Sequence, residues 1–281
     1  MNANRNTKES TLVLGGTGKT GRRVVERLRA RGLPARPASR SGDHPFAWED
    51  RRTWAPALQG AAAAYVSFYP DLAVPGAADT VGAFARLAVQ QGAQRLVLLS
   101  GRGEEEAQRA ERSMQNAGAD WTVIRCSWFS QNFSEGYLLE PVLAGEVALP
   151  ADGVPEPFVD AGDIADVAVA ALTEDGHAGR VYELTGPRSL SFAEAIDEIA
   201  AATGRPVRFV PVTMEKFAAD MRGQSVPDDV VSLLGYLFTE VLDGRNTATA
   251  DGVAQALGRA PRDFADYAYH AATAGAWDRG R

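Results

Sequence analysis

The residues whose spacing most plainly implies chemistry are glycines. Gly15, Gly18 and Gly21 stand as G-x-x-G-x-x-G, with Gly16, Thr17, Lys19 and Thr20 between them. A short apolar run, 11–14, precedes the loop, and Val24, Val25 and Leu28 recur after it at helical spacing, with Gly32 placed to stop the helix. Strand, glycine loop and helix in that order make a cradle for phosphate. Glycine permits the tight turn, lets the backbone approach a pyrophosphate, and lets the helix pack closely on the strand. The helix N-terminus adds free N–H groups and the positive end of a dipole. A nucleoside-triphosphate loop ending in Gly18-Lys19-Thr20 would need a glycine where Val13 sits, inside the strand, so the spacing favours a dinucleotide.

Selection of NAD usually places an acid at the end of the second strand, on the ribose 2′-hydroxyl. Here that strand ends Ala38-Ser39-Arg40-Ser41, with no acid before Asp43. Arg40 and its flanking hydroxyls suit a 2′-phosphate through bidentate, charge-assisted hydrogen bonds, the alternative being a solvated surface arginine. The expected cofactor is therefore NADP(H), and its expected contacts are Gly15, Gly16, Thr17, Gly18, Lys19, Thr20, Gly21, Ser39, Arg40, Ser67 and Ser100.

Positioning such a loop requires strands that alternate with helices. Residues 35–39, 61–68, 95–99 and 121–125 read as strands, and 77–91 and 104–116 as helices between them, which implies a doubly wound parallel sheet. The alternation breaks near residue 126. A helix over 163–172, with Asp163 as its cap, and a late strand over 181–185 follow. From Ser191 the chain reads mostly helical. Ser191 and Glu194 form a capping box, Thr203-Gly204 ends that helix, and 227–242 and 260–272 read as two more.

Composition excludes several functions. The chain of 281 residues carries 29 Lys+Arg against 36 Asp+Glu, a formal charge of −7, and only Lys8, Lys19 and Lys216 are lysines. Without a basic run, nucleic acid and anionic membranes are not expected partners. Cys126 stands alone, so no intrachain disulfide is expected, and His44, His177 and His270 show no metal-ligand spacing. The polar N-terminus does not read as a signal peptide and no apolar run approaches a membrane span. The expectation is a soluble, cytoplasmic protein acting on a small molecule, with a homodimer left open.

With these residues in view, the chain resembles the NmrA-like family of atypical short-chain dehydrogenases. The resemblance is carried by the segment from Gly15 through Gly21, by Ser39-Arg40, by Leu96 and its neighbours through Ser100, and by Trp121-Thr122-Val123-Ile124-Arg125. It continues through Trp128-Phe129-Ser130-Gln131-Asn132-Phe133, Asp163-Ile164-Ala165 and Val181 through Gly186, covering about 11–215. Within the family the glycine loop and the W-F-x-x-N-F segment look closest to the festuclavine- and agroclavine-type dehydrogenases of alkaloid secondary metabolism. Bacterial NAD(P)H:quinone reductases are similar, less closely. The resemblance implies an α/β fold, a Rossmann-type doubly wound parallel sheet with a smaller, mostly helical C-terminal substrate-binding part. The expected organisation is a disordered tail over 1–9, an NADP-binding Rossmann domain over 10–186 with 126–160 contributing to the substrate cleft, and the C-terminal part over 187–281.

The departures constrain mechanism. Most short-chain dehydrogenases use a Tyr-x-x-x-Lys pair as proton donor, and none of the seven tyrosines here has lysine four residues on. The lysine that relatives often keep in the helix after the fifth strand is missing from 104–111, and Cys126 stands where relatives commonly have proline. Hydride reduction of a ketone creates an alkoxide that needs a proton. An iminium becomes a neutral amine, and a quinone gives a comparatively acidic hydroquinone. The expected function is thus NADPH-dependent hydride transfer to an iminium, quinone or activated alkene, resting mainly on proximity. The alternatives are a non-catalytic NADP(H)-sensing regulator and a non-redox enzyme on the same fold. Tyr69, Trp128, Phe129, Asn132 and Tyr137 are the candidate substrate contacts, although Trp128 and Phe129 also read as core and Asn132 as a turn residue. The catalytic group is unknown, with Ser100, Tyr69 and Tyr137 as candidates. Glu104, Glu105 and Glu106 read as a solvated helix start, His177 as a turn residue, and Lys19 as either a phosphate contact or a solvated side chain.

Overall fold

The apolar run before the glycine loop is the centre of a sheet. The structure, a computed structural model, describes residues 10–151 and 153–278, so the expected tail over 1–9 lies outside the described residues. These residues form β1 (Ser10–Leu14), β2 (Ala35–Ser39), β3 (His44–Pro45), β4 (Ala61–Val66), β5 (Arg95–Gly101), β6 (Asp120–Cys126), β7 (Glu146–Leu149), β8 (Arg180–Leu184) and β9 (Arg208–Pro211). Seven of them make one sheet in the order β3-β2-β1-β4-β5-β6-β8, and β7 and β9 pair in parallel as a second, two-stranded sheet. Around β1 the pairing is parallel on both sides, with Leu14 opposite Ala38 and Val13 opposite Tyr65, and Val66 of β4 opposite Leu98 of β5. Parallel strands covered on both faces need continuous apolar sequence. Leu12, Val13, Leu14, Leu96, Val97 and Leu98 are accordingly fully buried.

The chain divides into two compact units. The first runs through Ser100 and includes Glu105–Ile124 and Ile164–Tyr182; the second comprises Gly101–Glu104, Arg125–Asp163 and Glu183 onward. The segment 126–160, expected to contribute to the substrate cleft, lies within Arg125–Asp163 of the second unit.

In the first unit, α1 (Lys19–Ala30) buries Thr20, Gly21, Val24, Val25 and Leu28 on one face and ends before Gly32, whose φ of +70° suits glycine. α2 (Trp54–Leu58), α3 (Ala77–Gln90) and α4 (Glu105–Gln115) belong to it too, as does most of the helix Ala161–Thr173. Its core joins Leu12, Leu14, Leu96 and Leu98 to an aromatic group of Phe46, Trp48, Trp54 and Phe84, whose rings meet edge to face at 5.0–5.9 Å apart from the stacked Phe46–Trp54 pair at 6.4 Å. The second unit has its own core, built on Phe133, Phe158, Phe192, Phe264 and Trp277. There the capping box is present, with Ser191 and Glu194 exchanging hydrogen bonds at the start of the helix Phe192–Thr203.

Several expectations are corrected. The helix read over 227–242 is regular only over Asp228–Tyr236 and widens in its last turn, where the Leu242 N–H donates to the Leu237 carbonyl. Asp163 does not cap the helix Ala161–Thr173. Asp160 does, accepting from the Gly162 N–H, while the Gln131 side-chain oxygen accepts from the Ala161 N–H. Asp163, fully buried in the first turn, instead receives the guanidinium groups of Arg259 and Arg262 and the Arg262 N–H. Glu104 is buried against Gly101 rather than solvated. His177 does open a turn, its carbonyl accepting from the Arg180 N–H at 3.2 Å, and its buried ring lies 2.9 Å from the Tyr182 hydroxyl.

Candidate functional site

The glycine loop is as tight as its composition demands. Gly15 adopts φ of +62°, a conformation glycine enters without steric penalty, and its carbonyl accepts from the Gly18 N–H at 2.8 Å. A Cβ on Gly16 would stand 2.6 Å from Pro37 of β2, and one on Gly21 would stand 2.2 Å from the Gly15 carbonyl oxygen. The two positions thus let β2 and the first turn of α1 close on the loop. Gly16 and Gly21 are buried while Thr17 and Gly18 face solvent. α1 starts at Gly18 with no side-chain cap and no acid in its first turn, so its positive end stays open for an anion.

Parallel strands bring their carboxyl ends to one edge. Gly15 follows β1, Arg40 follows β2, Ser67 and Tyr69 follow β4, and Ser100 lies at the end of β5. Arg40 is exposed and its guanidinium carbon stands 4.8 Å from the centre of the Tyr69 ring. Tyr69 is 54% exposed. Among the described residues neither hydrogen bond nor ion pair engages Arg40. Ser67 lies against Gly15, its hydroxyl 3.5 Å from where a Gly15 Cβ would be, and its carbonyl accepts from the Trp48 indole at 3.1 Å. Lys19 accepts at its carbonyl from the Arg23 guanidinium.

Ser100 is buried, and its hydroxyl donates to the Glu111 carboxylate of α4 at 2.7 Å. Sequence reading missed Glu111, which is itself 1% exposed. The signal was there: Ala107, Ala110, Glu111 and Met114 fall on one helical stripe, and they are the buried face of α4.

The remaining candidates belong to the second unit. Trp128 packs edge to face on Phe192 at 5.4 Å and against Phe238 at 5.0 Å, so its ring is built into that core. Phe129 bridges Val159 through its backbone, and Asn132 opens the short helix Asn132–Glu135 with its N–H on the Phe129 carbonyl. Tyr137 is different. Its hydroxyl is buried with no hydrogen-bond partner among the described residues, and burial pushes the phenol pKa up, keeping it a neutral donor. Burial likewise pushes the Cys126 thiol up, which makes it unreactive.

A buried acid beside Trp128 also escaped the sequence reading. Glu156 is 2% exposed, accepts from the Trp128 N–H at 3.3 Å and from the Ser127 hydroxyl, and lies in the field of Arg102. Burial outweighs these partners and pushes its pKa from 4.5 up to about 7. Arg102 is held in turn by Glu183, Ser127 and the carbonyls of Asn246 and Ala248.

No family model matches the chain. Among curated proteins it is similar to an NAD(P)H azoreductase from Xenophilus azovorans, 31% identical over 94% of this chain and 99% of the relative. It is also similar to an agroclavine dehydrogenase from Claviceps fusiformis, 28% identical over 91% of this chain and 95% of the relative. Its fold matches an NADPH-dependent quinone oxidoreductase from Escherichia coli, with a TM-score of 0.74 at 19% identity over 92% of this chain and 98% of that one. NmrA, a negative transcriptional regulator solved with NAD, gives 0.71 at 16% identity over 96% and 97%. The chain belongs to the NmrA-like family of atypical short-chain dehydrogenases and reductases.

As a member of that family it keeps the glycine loop and the doubly wound parallel sheet. On α4 no lysine occurs, and the buried face carries Glu111 toward Ser100. Among the described residues no cluster of His, Cys, Asp and Glu could hold a metal, and no helix is long and apolar enough to cross a membrane.

Proposed function

We propose that this protein is an NADPH-dependent reductase that delivers hydride to a planar, electron-poor small molecule: an iminium, quinone or activated alkene. The observation that carries the reading is Arg40. It stands at the end of β2, where an NAD-selecting site needs an acid, and its five N–H donors are left to a ligand. The loop fits the same cofactor, since Gly16 and Gly21 leave room that any Cβ would fill and the start of α1 is uncapped. Bound NADPH would supply the hydride. Around it, the chain's own residues bind phosphate at the loop, and Ser39, Arg40 and Ser67 line the edge where the adenosine end would lie. Trp128, Phe129, Asn132 and Tyr137 are proposed for the acceptor, and the orphaned Tyr137 hydroxyl is the polar group among them that gains most from an acceptor atom.

The acceptor class follows from the proton donors. Ser100 directs its one proton to Glu111, and no Tyr-x-x-x-Lys pair exists. Acceptors that need no strong acid are favoured, and relatives named as an NAD(P)H azoreductase and an agroclavine dehydrogenase support a reductase of small molecules. The test is a cofactor titration by fluorescence followed by NADPH oxidation with quinones, cyclic iminiums, enones, azo dyes and ketones. Arg40→Ala should weaken NADPH about thirty- to 150-fold, the loss of about 2–3 kcal/mol in hydrogen bonds to a charged group, and leave NADH within threefold. Equal weakening of both removes Arg40 from the 2′-phosphate. Absence of turnover with every acceptor class would leave the sensing role.

A further inference from the structure

Tyr69 was a candidate for the substrate side, and its surroundings assign it elsewhere. The sheet order puts β1 between β2 and β4, so the ends of β2 and β4 lie about 10 Å apart across β1. Arg40 leaves one of those ends and Tyr69 the other, and their side chains meet across the edge from which the glycine loop leaves. One segment braces both. The Phe46 N–H donates to the Ser39 carbonyl at 3.0 Å, next to Arg40. Two residues on, the Trp48 indole donates to the Ser67 carbonyl, and its ring lies 4.8 Å from that of Phe68, next to Tyr69. Beyond Tyr69 the chain turns tightly, with the Asp71 carboxylate accepting from the Ala73 N–H at 2.8 Å. The aromatic ring is therefore held on both flanks while it stays 54% exposed.

A guanidinium carries its donors in its own plane, so a ring against its face leaves the edge free for bidentate contact with phosphate. Arginine also has much rotamer freedom to lose when it binds. A fixed aromatic platform lowers that loss before the ligand arrives. We infer that Tyr69 is a cofactor-specificity residue, the platform that holds Arg40 in position for the ribose 2′-phosphate, and not a contact for the hydride acceptor. The inference rests on the reading of Arg40 given above.

The probes are 2′,5′-ADP, which carries the 2′-phosphate, and 5′-AMP, which lacks it, each titrated by calorimetry against the full chain. Tyr69→Leu should weaken 2′,5′-ADP about three- to fivefold, the size of an exposed cation–π contact, and leave 5′-AMP unchanged. Tyr69→Phe keeps the π face and should stay within twofold of the unsubstituted chain. In an Arg40→Met background, Tyr69→Leu should have no further effect on 2′,5′-ADP. If Tyr69→Leu weakens both probes alike, or acts undiminished without Arg40, the platform role is overturned. A raised KM for the acceptor with unchanged 2′,5′-ADP binding also overturns it and returns Tyr69 to the substrate. If Arg40→Met weakens 2′,5′-ADP no more than 5′-AMP, the 2′-phosphate seat itself is wrong, a result distinct from failure at Tyr69.

Discussion

Glu156 makes stability depend on pH in an unusual direction. Most carboxylates in folded proteins are stabilised as anions, and acid unfolds the chain by protonating them. Here burial dominates and pushes the Glu156 pKa from 4.5 up to about 7. Between those values the folded state holds a proton that the unfolded state has released, so stability falls as pH rises, and the loss is complete above about pH 7. At about 1.4 kcal/mol per pH unit, that interval amounts to about 3 kcal/mol. Glu156→Gln keeps an acceptor for the Trp128 N–H and the Ser127 hydroxyl but has no charge to bury. Urea denaturation at pH 5 should give variant and parent similar stabilities. At pH 8 the variant should be the more stable by about 1–3 kcal/mol, the lower part allowing for poorer amide geometry beside Arg102. A difference between the two that does not change with pH, or a parent that gains over the variant at pH 8, refutes the reasoning. In that case the field of Arg102 outweighs burial.

Gly21→Ala should lower NADPH affinity at least tenfold and cost about 1–3 kcal/mol in thermal unfolding, because its Cβ meets the Gly15 backbone at 2.2 Å and neither can yield. Gly18→Ala, 3.2 Å from the same oxygen and facing solvent, should do much less. Equal tolerance at both sites would disprove the close approach of α1 to the loop. Ser100→Ala removes a hydroxyl that donates to buried Glu111, so about 1–3 kcal/mol of stability should be lost with kcat for a quinone within threefold of the parent. A hundredfold fall in kcat with unchanged melting would instead make Ser100 the proton donor.

What could be read from the sequence was what is local. The glycine loop, the helix stop at Gly32 and the capping box at Ser191 each depend on residues within one turn of one another, and all three stand where the chain placed them. β1, β4 and β5 were visible because parallel strands buried on both faces must be apolar without interruption. The two-residue β3 and the four-residue β7 and β9 carry no such run, and β7 and β9 pair across about sixty residues, Glu146 with Arg208. Asp163 shows the same limit from the other side. As a residue at a helix start it reads as a cap, and only the return of Arg259 and Arg262 from far along the chain makes it an ion-pair centre.

The missing lysine takes on a different meaning beside Glu111. In the sequence it is an absence, a proton donor's helper that α4 lacks. In the structure the same helix turns a buried carboxylate toward Ser100, and the serine's only proton is committed to it. An oxygen that gained negative charge near that hydroxyl would face lone pairs and not a donor, and both would repel it. In the proposed reaction this penalises a ketone, whose oxygen becomes an alkoxide, more than a cationic acceptor that loses its charge when hydride arrives. A quinone lies between them, since the hydroquinone anion it forms is a phenolate whose charge spreads into the aromatic ring. The acceptor panel should therefore rank cyclic iminium above quinone and quinone above ketone. Glu111→Gln should narrow the gap between the first and the last, because it removes the charge while the helix that presents it stays in place.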